Sequence, residues 1–188
     1  MKRATFLAVL VLSLAPAPAG AAPPIPIDGI AAIVDDVVLF RSDVAARMRQ
    51  HEAQLSKDPN KRRTQLEELS YGTVRRMVDE TLIAKDAQRL RIEVTDAEVT
   101  AGIAAVAAQN KLTRAELEAE VVKGGFTVTS YEAEVRRQIV DGKWSVARAM
   151  GKVDRKKTSD PAAFDAALEK LRAKALGELK QQAFVEIR

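Results

Sequence analysis

Three small groups of side chains in this sequence have types and spacings that bear on chemistry. Asp35-Asp36 sets two carboxylates side by side, which is what sharing a proton or holding a cation needs. His51, next to Glu52, is the single imidazole, and Arg155-Lys156-Lys157 gathers positive charge within residues 152–157. None of the three is completed by a partner in sequence. The two acids have no third ligand nearby and stand between β-branched runs, so they read as the central pair of a tight hairpin turn. His51 lies in a stretch of alternating charge and reads as solvated. The basic stretch reads as a solvated spacer, with docking to an acidic surface or lipid head groups as its other reading. The chain has no cysteine and one histidine, which removes disulfides, thiolate nucleophiles and zinc clusters. No activated nucleophile, paired acid and base, or nucleotide-binding loop stands out. The sequence therefore points to a protein that works by binding, is not an enzyme, and has no cofactor and no metal site.

Elements must position whatever does the binding. The 188 residues suit one domain, and 47% apolar with 30% charged residues is the balance of a folded chain. Only five Phe, two Tyr and one Trp are present, so the interior is expected to be helical and built mainly of aliphatic side chains. The first segment reads as an address. Met1-Lys2-Arg3 is positive, residues 4–14 are apolar, and Ala19-Gly20-Ala21 has the small-residue pattern of a secretory signal peptide, with cleavage expected after Ala21. The apolar run is too short for the roughly 20 residues of a membrane anchor, and no later segment is a candidate transmembrane span. Losing Lys2 and Arg3 would cut the formal charge of +4 to about half, so nucleic acid is not expected as a partner. The expected localisation is the periplasm.

Residues 22–29 read as an extended lead-in and 30–188 as the folded domain. Residues 30–34 and 37–40 form the hairpin, which needs a third strand or a helix to be stable, and residues 183–187 have the β-branched character to supply it. Ser42 is expected to cap a first helix reaching about Leu55, with Asp58-Pro59-Asn60 ending it. A long helix is expected over 64–90, apolar around much of its circumference and hence central, with Gly72 as a flaw. Thr95…Glu98, Thr113…Glu116 and Thr129…Glu132 each have the capping-box spacing and predict helices over 96–109, 114–123 and 130–150. Asp160-Pro161 predicts the start of a last helix to about Gln182. The fold class is mainly α, a multi-helix body with a small antiparallel sheet made by the N-terminal hairpin and the C-terminal strand.

The stretch Ile33-Val34-Asp35-Asp36-Val37-Val38-Leu39-Phe40-Arg41-Ser42-Asp43-Val44 resembles the opening hairpin and helix of the SurA family of periplasmic chaperones. The likeness continues through Asp79-Glu80-Thr81-Leu82-Ile83, Ile92 to Val99, Ala107 to Thr113 and Tyr131 to Ile139, and ends with Gln181 to Ile187. It implies an N-terminal part over 30–151, a connector over 152–159, and a C-terminal helix and strand over 160–188 that return to the beginning. It also implies a function: binding unfolded outer-membrane β-barrel proteins and preventing their aggregation without ATP. The barrel assembly machinery is a further partner that the likeness raises. Family members commonly carry parvulin-type peptidyl-prolyl isomerase domains between the two parts. Here only residues 152–159 lie between them, and His51 precedes that position, so no isomerase activity is expected.

On this reading a client groove forms where the hairpin, the first helix, the Trp144-bearing helix and the last helix meet. Met48, Tyr71, Trp144 and Met150 are the candidate peptide-binding side chains, being large or adaptable; core packing is the other reading of the same positions. A competing function is structural, a homodimer formed by exchange of the terminal strand or helix in the cell envelope.

Overall fold

The computed structural model describes residues 28–149 and 160–188. The expected signal peptide, most of the lead-in, Met150 and the 152–159 connector lie outside the described residues. The hairpin consists of β1 (Ile30–Val34) and β2 (Val37–Phe40), closed by Asp35-Asp36 with Asp35 in the left-handed region at φ 53°. A third strand, β3 (Val185–Ile187), pairs antiparallel with β1 in the register Ala32 to Ile187, Ile33 to Glu186 and Val34 to Val185, giving the strand order β2-β1-β3. The expected return of the tail to the hairpin is therefore seen. Ala32 and Val34 on β1 are fully buried, because that strand has a neighbour on each side and helices beneath it.

Six α-helices accompany the sheet among the described residues. The first, α1 (Arg41–Met48), begins one residue before Ser42, and the Asp43 carboxylate accepts the Phe40 N–H at 3.3 Å. Ser42 is not its cap; its hydroxyl donates to Asp28 instead. The chain then tightens into a 3-10 helix (Arg49–Gln54), so the regular helix is shorter than the sequence suggests. The long helix α2 (Pro59–Arg89) starts five residues before the expected position, because Asp58-Pro59-Asn60 opens it rather than ending its predecessor. Asp58 accepts the N–H groups of Asn60 at 2.9 Å and Lys61 at 3.2 Å, and Pro59 sits in the first turn where no donor is needed. Gly72 causes no break. Only the second half of α2 is central: Val74, Met77, Val78, Leu82, Ile83 and Ala87 are buried, whereas Leu66 and Leu69 in the first half are half-buried.

Helices α3 (Asp96–Gln109) and α4 (Arg114–Lys123) match their capping boxes, with Thr95 and Thr113 bonding Glu98 and Glu116 in both directions. The third expected box does not form. Helix α5 (Val128–Ala149) is opened by Thr127 and Ser130, each side-chain oxygen accepting the other residue's N–H, at 2.9 and 3.0 Å. Helix α6 (Pro161–Gln182) starts from Asp160, which accepts the Ala162 N–H at 3.2 Å. Three helix ends share one device. Arg91 (φ 55°), Lys111 (φ 57°) and Gly125 (φ 88°) turn left-handed, and the following Ile92, Leu112 and Phe126 N–H groups reach back to Ala87, Ala107 and Val121 carbonyls.

Two clusters of buried side chains result. The main one joins β1, β2, α1, the second half of α2, Trp144 of α5, and Ala175, Leu176 and Leu179 of α6. The other joins α3, α4 and the first half of α5 through Val99, Ile103, Ala107, Leu117 and Val135. Each buried Leu or Ile contributes about 1.5–3 kcal/mol. Helix α5 belongs to both clusters. Gly102 lets α3 lie close on it, since a Cβ there would stand 3.2 Å from Val135 Cγ1.

Candidate functional site

The junction expected to hold the client groove is filled. Trp144 is 0% exposed, and its indole Nε1 donates at 2.6 Å to Asp86, a carboxylate only 3% exposed. Arg148, one turn further along α5, donates through Nε to the same Asp86 oxygen at 2.7 Å. Burial pushes the Asp86 carboxyl up, but the hydrogen bonds from Arg148 and Trp144 and the nearby positive charge outweigh it and hold the group below the ordinary value. Trp144 thus orients α5 against α2 from within the core, the position that the core-packing reading of this residue expects. The physical reason is that a ring this large, with one polar atom satisfied by a buried acid, fills the space where four elements meet.

The other candidates differ in their surroundings. Met48 is half-buried against the main core at the end of α1. Tyr71 is 58% exposed on α2, with the Arg75 guanidinium 5.5 Å from its ring centroid. Met150 lies outside the described residues. None of the three described ones lines the cleft between α2, α5 and α6.

That cavity is a cleft of about 700 Å³ between α2, α5 and α6. From α2 it is lined by Gly72, Arg75, Arg76, Asp79, Glu80 and Ile83, positions three or four apart that share one helix face. Helix α5 supplies Glu134, Arg137, Val140 and Asp141 among others, and α6 supplies Arg172. Its carboxylates are matched by cations: Glu80 to Arg47 at 2.8 Å, Glu134 to Arg137 at 2.7 Å, Asp141 to Arg172 at 3.1 Å and Asp79 to Lys180 at 2.6 Å. Burial raises the Glu134 carboxyl, yet hydrogen bonds from Arg137 and Gln138 and the positive charges of Arg137 and Arg47 keep it below its ordinary value. Arg75 and Arg76 have no carboxylate partner among the described residues. A smaller groove of about 190 Å³ shares Arg75 and Asp79 with the cleft and runs on past Val78 and Lys180 to Val185 and Ile187 of β3. Sequence reasoning missed this surface because it searched for aromatic and methionine side chains. The recurrence of Arg75, Asp79 and Ile83 at helical spacing was the available signal.

The hairpin acids do more than turn the chain. Lys85 of α2 bonds Asp35 at 2.8 Å and Asp36 at 2.5 Å, and Asp35 also binds the tail next to β3. Lys85, and then the Phe184 N–H, hold the Asp35 carboxyl below its ordinary value. No group of three or more metal-ligating side chains occurs among the described residues, and no described helix is long and apolar enough to cross a membrane. The cleft sets Ile83 and Val140 among the guanidinium groups of Arg75, Arg76, Arg137 and Arg172.

The chain is similar to the Chaperone SurA of Bordetella avium, 35% identical over 116 residues, which covers 60% of this chain and 22% of that protein. It is 33% identical over 113 residues to that of Cupriavidus pinatubonensis, with the same coverage, and 28% identical over 139 residues to that of Pectobacterium atrosepticum, covering 70% of this chain and 30% of the relative. It therefore spans well under half the length of these curated relatives. A family model described as the SurA N-terminal domain matches residues 27–144, which run from the lead-in of the hairpin through β1 and β2 to Trp144. With that match over more than half its length, the chain belongs to the SurA N-terminal domain family.

Proposed function

We propose that this protein is a periplasmic, ATP-independent chaperone that binds unfolded outer-membrane β-barrel proteins and keeps them from aggregating. The observation that carries the reading is the open cleft of about 700 Å³ between α2, α5 and α6 in a chain of this family. An unfolded barrel strand exposes alternating apolar side chains and self-associates through its edges unless both are covered. A cleft with Ile83 and Val140 on its walls and guanidinium groups around it accepts such side chains by shallow contact. Release then follows from weak affinity, with a dissociation constant near micromolar, about 8 kcal/mol. Tyr71, whose ring lies under the Arg75 guanidinium, Met48 at the end of α1, and Met150 serve as client contacts, and Trp144 acts indirectly by fixing α5. The signal peptide, and the barrel assembly machinery as a docking partner, belong to the same proposal.

The protein acts without isomerase activity of its own, since only residues 152–159 occupy the place where relatives of this kind carry a parvulin domain. The test is dilution of a urea-unfolded barrel protein into buffer with this protein at micromolar concentration. Suppressed light scattering supports the proposal; scattering unchanged at tenfold molar excess overturns it. A proline-containing peptide turned over by the pure protein would overturn the non-enzymatic part alone.

A further inference from the structure

We propose that the outer edge of β3 is a strand-addition site, at which one extended segment of the unfolded barrel client pairs through its main chain while its alternate side chains enter the neighbouring cleft. The proposal rests on the chaperone reading above and names how that site takes its client.

The ladder between β1 and β3 fixes which main-chain groups are free. Arg188 N–H donates to the Ala31 carbonyl at 2.9 Å and Asp35 N–H to the Phe184 carbonyl at 2.8 Å, with Glu186 opposite Ile33 between them. Residues 184, 186 and 188 therefore face β1. Because the ladder alternates, the N–H and C=O groups of Val185 and Ile187 point the other way, where the strand order β2-β1-β3 places no further strand among the described residues. Those groups specify an extended backbone as their partner, whatever its side chains. The edge is short, but the strand Val-Glu-Ile contains no proline or lysine of the kind that blocks pairing at exposed edges.

The groove beside this edge borders the cleft. Val185 and Ile187 line it with Val78, and it shares Arg75 and Asp79 with the larger cavity. A strand added to β3 sends every second side chain to the same face, the period of a transmembrane barrel strand. The side chains on that face would follow Val185 and Ile187 past Arg75 toward Ile83. Arg75, whose only described partner is the Tyr71 ring, stands at the junction with guanidinium donors free for a client carbonyl or carboxylate. Two residues of edge offer few hydrogen bonds, which suits a client that must leave.

The test uses a fluorescent eight-residue peptide alternating apolar residues with threonine, and two versions N-methylated on one or the other set of alternate amides. Methylation on the set that faces β3 is expected to weaken binding by about tenfold, and on the other set by less than about twofold. Equal effects of the two sets would overturn strand addition. As a check from the protein side, Ile187→Pro removes an outward donor and leaves the Arg188 bond to β1 in place. It is expected to lower peptide affinity similarly with Trp144 emission unchanged. Should that variant fail to fold, the methylated peptides still decide. A wild-type dimer that Ile187→Pro converts to monomer, with peptide affinity untouched, would assign the edge to a second copy and overturn the proposal. If barrel aggregation is suppressed but the two methylated sets bind alike, strand addition fails alone; if aggregation is not suppressed, the chaperone reading fails with it.

Discussion

Asp35 in the hairpin turn and Phe184 before the last strand, 149 residues apart, hold each other by two hydrogen bonds: the Asp35 N–H donates to the Phe184 carbonyl at 2.8 Å, and the Phe184 N–H donates to the Asp35 carboxylate at 2.9 Å. The backbone bond belongs to any antiparallel ladder. The side-chain bond depends on aspartate at that position and on the left-handed φ that turns it toward the tail.

Replacing the acceptor tests its part in docking β3. Asp35→Ala removes the bond to Phe184 and one of the two carboxylates on Lys85. Hydrogen exchange at Val185 to Ile187 is expected to quicken by about tenfold, with α3 and α4 unaffected. Equal acceleration throughout the chain would show that the bond has no local role.

The buried acid should matter more. Asp86→Ala leaves the Trp144 Nε1 without its acceptor and takes the carboxylate from a half-exposed Arg148, at a cost of about 2–3 kcal/mol. Urea unfolding followed by the single tryptophan measures it. A loss below about 0.5 kcal/mol would mean that water replaces the carboxylate.

Acid should weaken the fold. Asp35 and Asp86 both have carboxyl pKa values below the ordinary 3.8 in the folded protein. A depressed folded value stabilises the native state above the unfolded pKa, and that contribution disappears as pH falls through the folded value. The urea midpoint is expected to be level from pH 7 to about 5 and to fall below about pH 4. Asp86→Asn should make that fall shallower. A midpoint rising on acidification would refute the assignment.

One helix end can be improved. Lys111 holds φ 57°, a conformation costly for a residue with a Cβ, so Lys111→Gly should raise stability by about 0.5–1 kcal/mol despite glycine's greater unfolded-state freedom. A decrease would show that the lysine side chain supplies a compensating interaction.

Ending the chain at Ser159 removes Ala175, Leu176 and Leu179 from the main core together with β3. At about 1.5–3 kcal/mol per large buried side chain against a total stability of about 5–15 kcal/mol, cooperative unfolding should be lost. A sharp urea transition in the truncated chain would show that the N-terminal part stands alone.

Much of this architecture could be read from residues whose preferences are local. Thr95, Thr113 and Asp160 announced their helices because the capping oxygen and the donors it serves lie within three residues. The errors have the same origin. Asp58-Pro59 works equally as a stop or a start, and only the packing of α2 decides that it starts. Thr129 has the spacing of a box, but Thr127 and Ser130 form the cap and begin the helix earlier. The end devices at Arg91 and Lys111 were hidden because their residues are not glycine. Trp144 shows the larger difficulty: its size suits a client surface or a core, and the choice rests on Asp86, 58 residues away. The cleft is built the same way, from ion pairs joining separate helices that no local pattern reveals.

The partnership of β1 with β3 also governs timing. A polypeptide made or threaded from its N-terminal end exposes the hairpin long before the strand that completes the sheet, and α6, one wall of the cleft, arrives only shortly before it. Such distant pairing slows closure. The consequence is a built-in delay: the sheet, and the cleft wall that α6 supplies beside it, stay unfinished until the distal strand emerges.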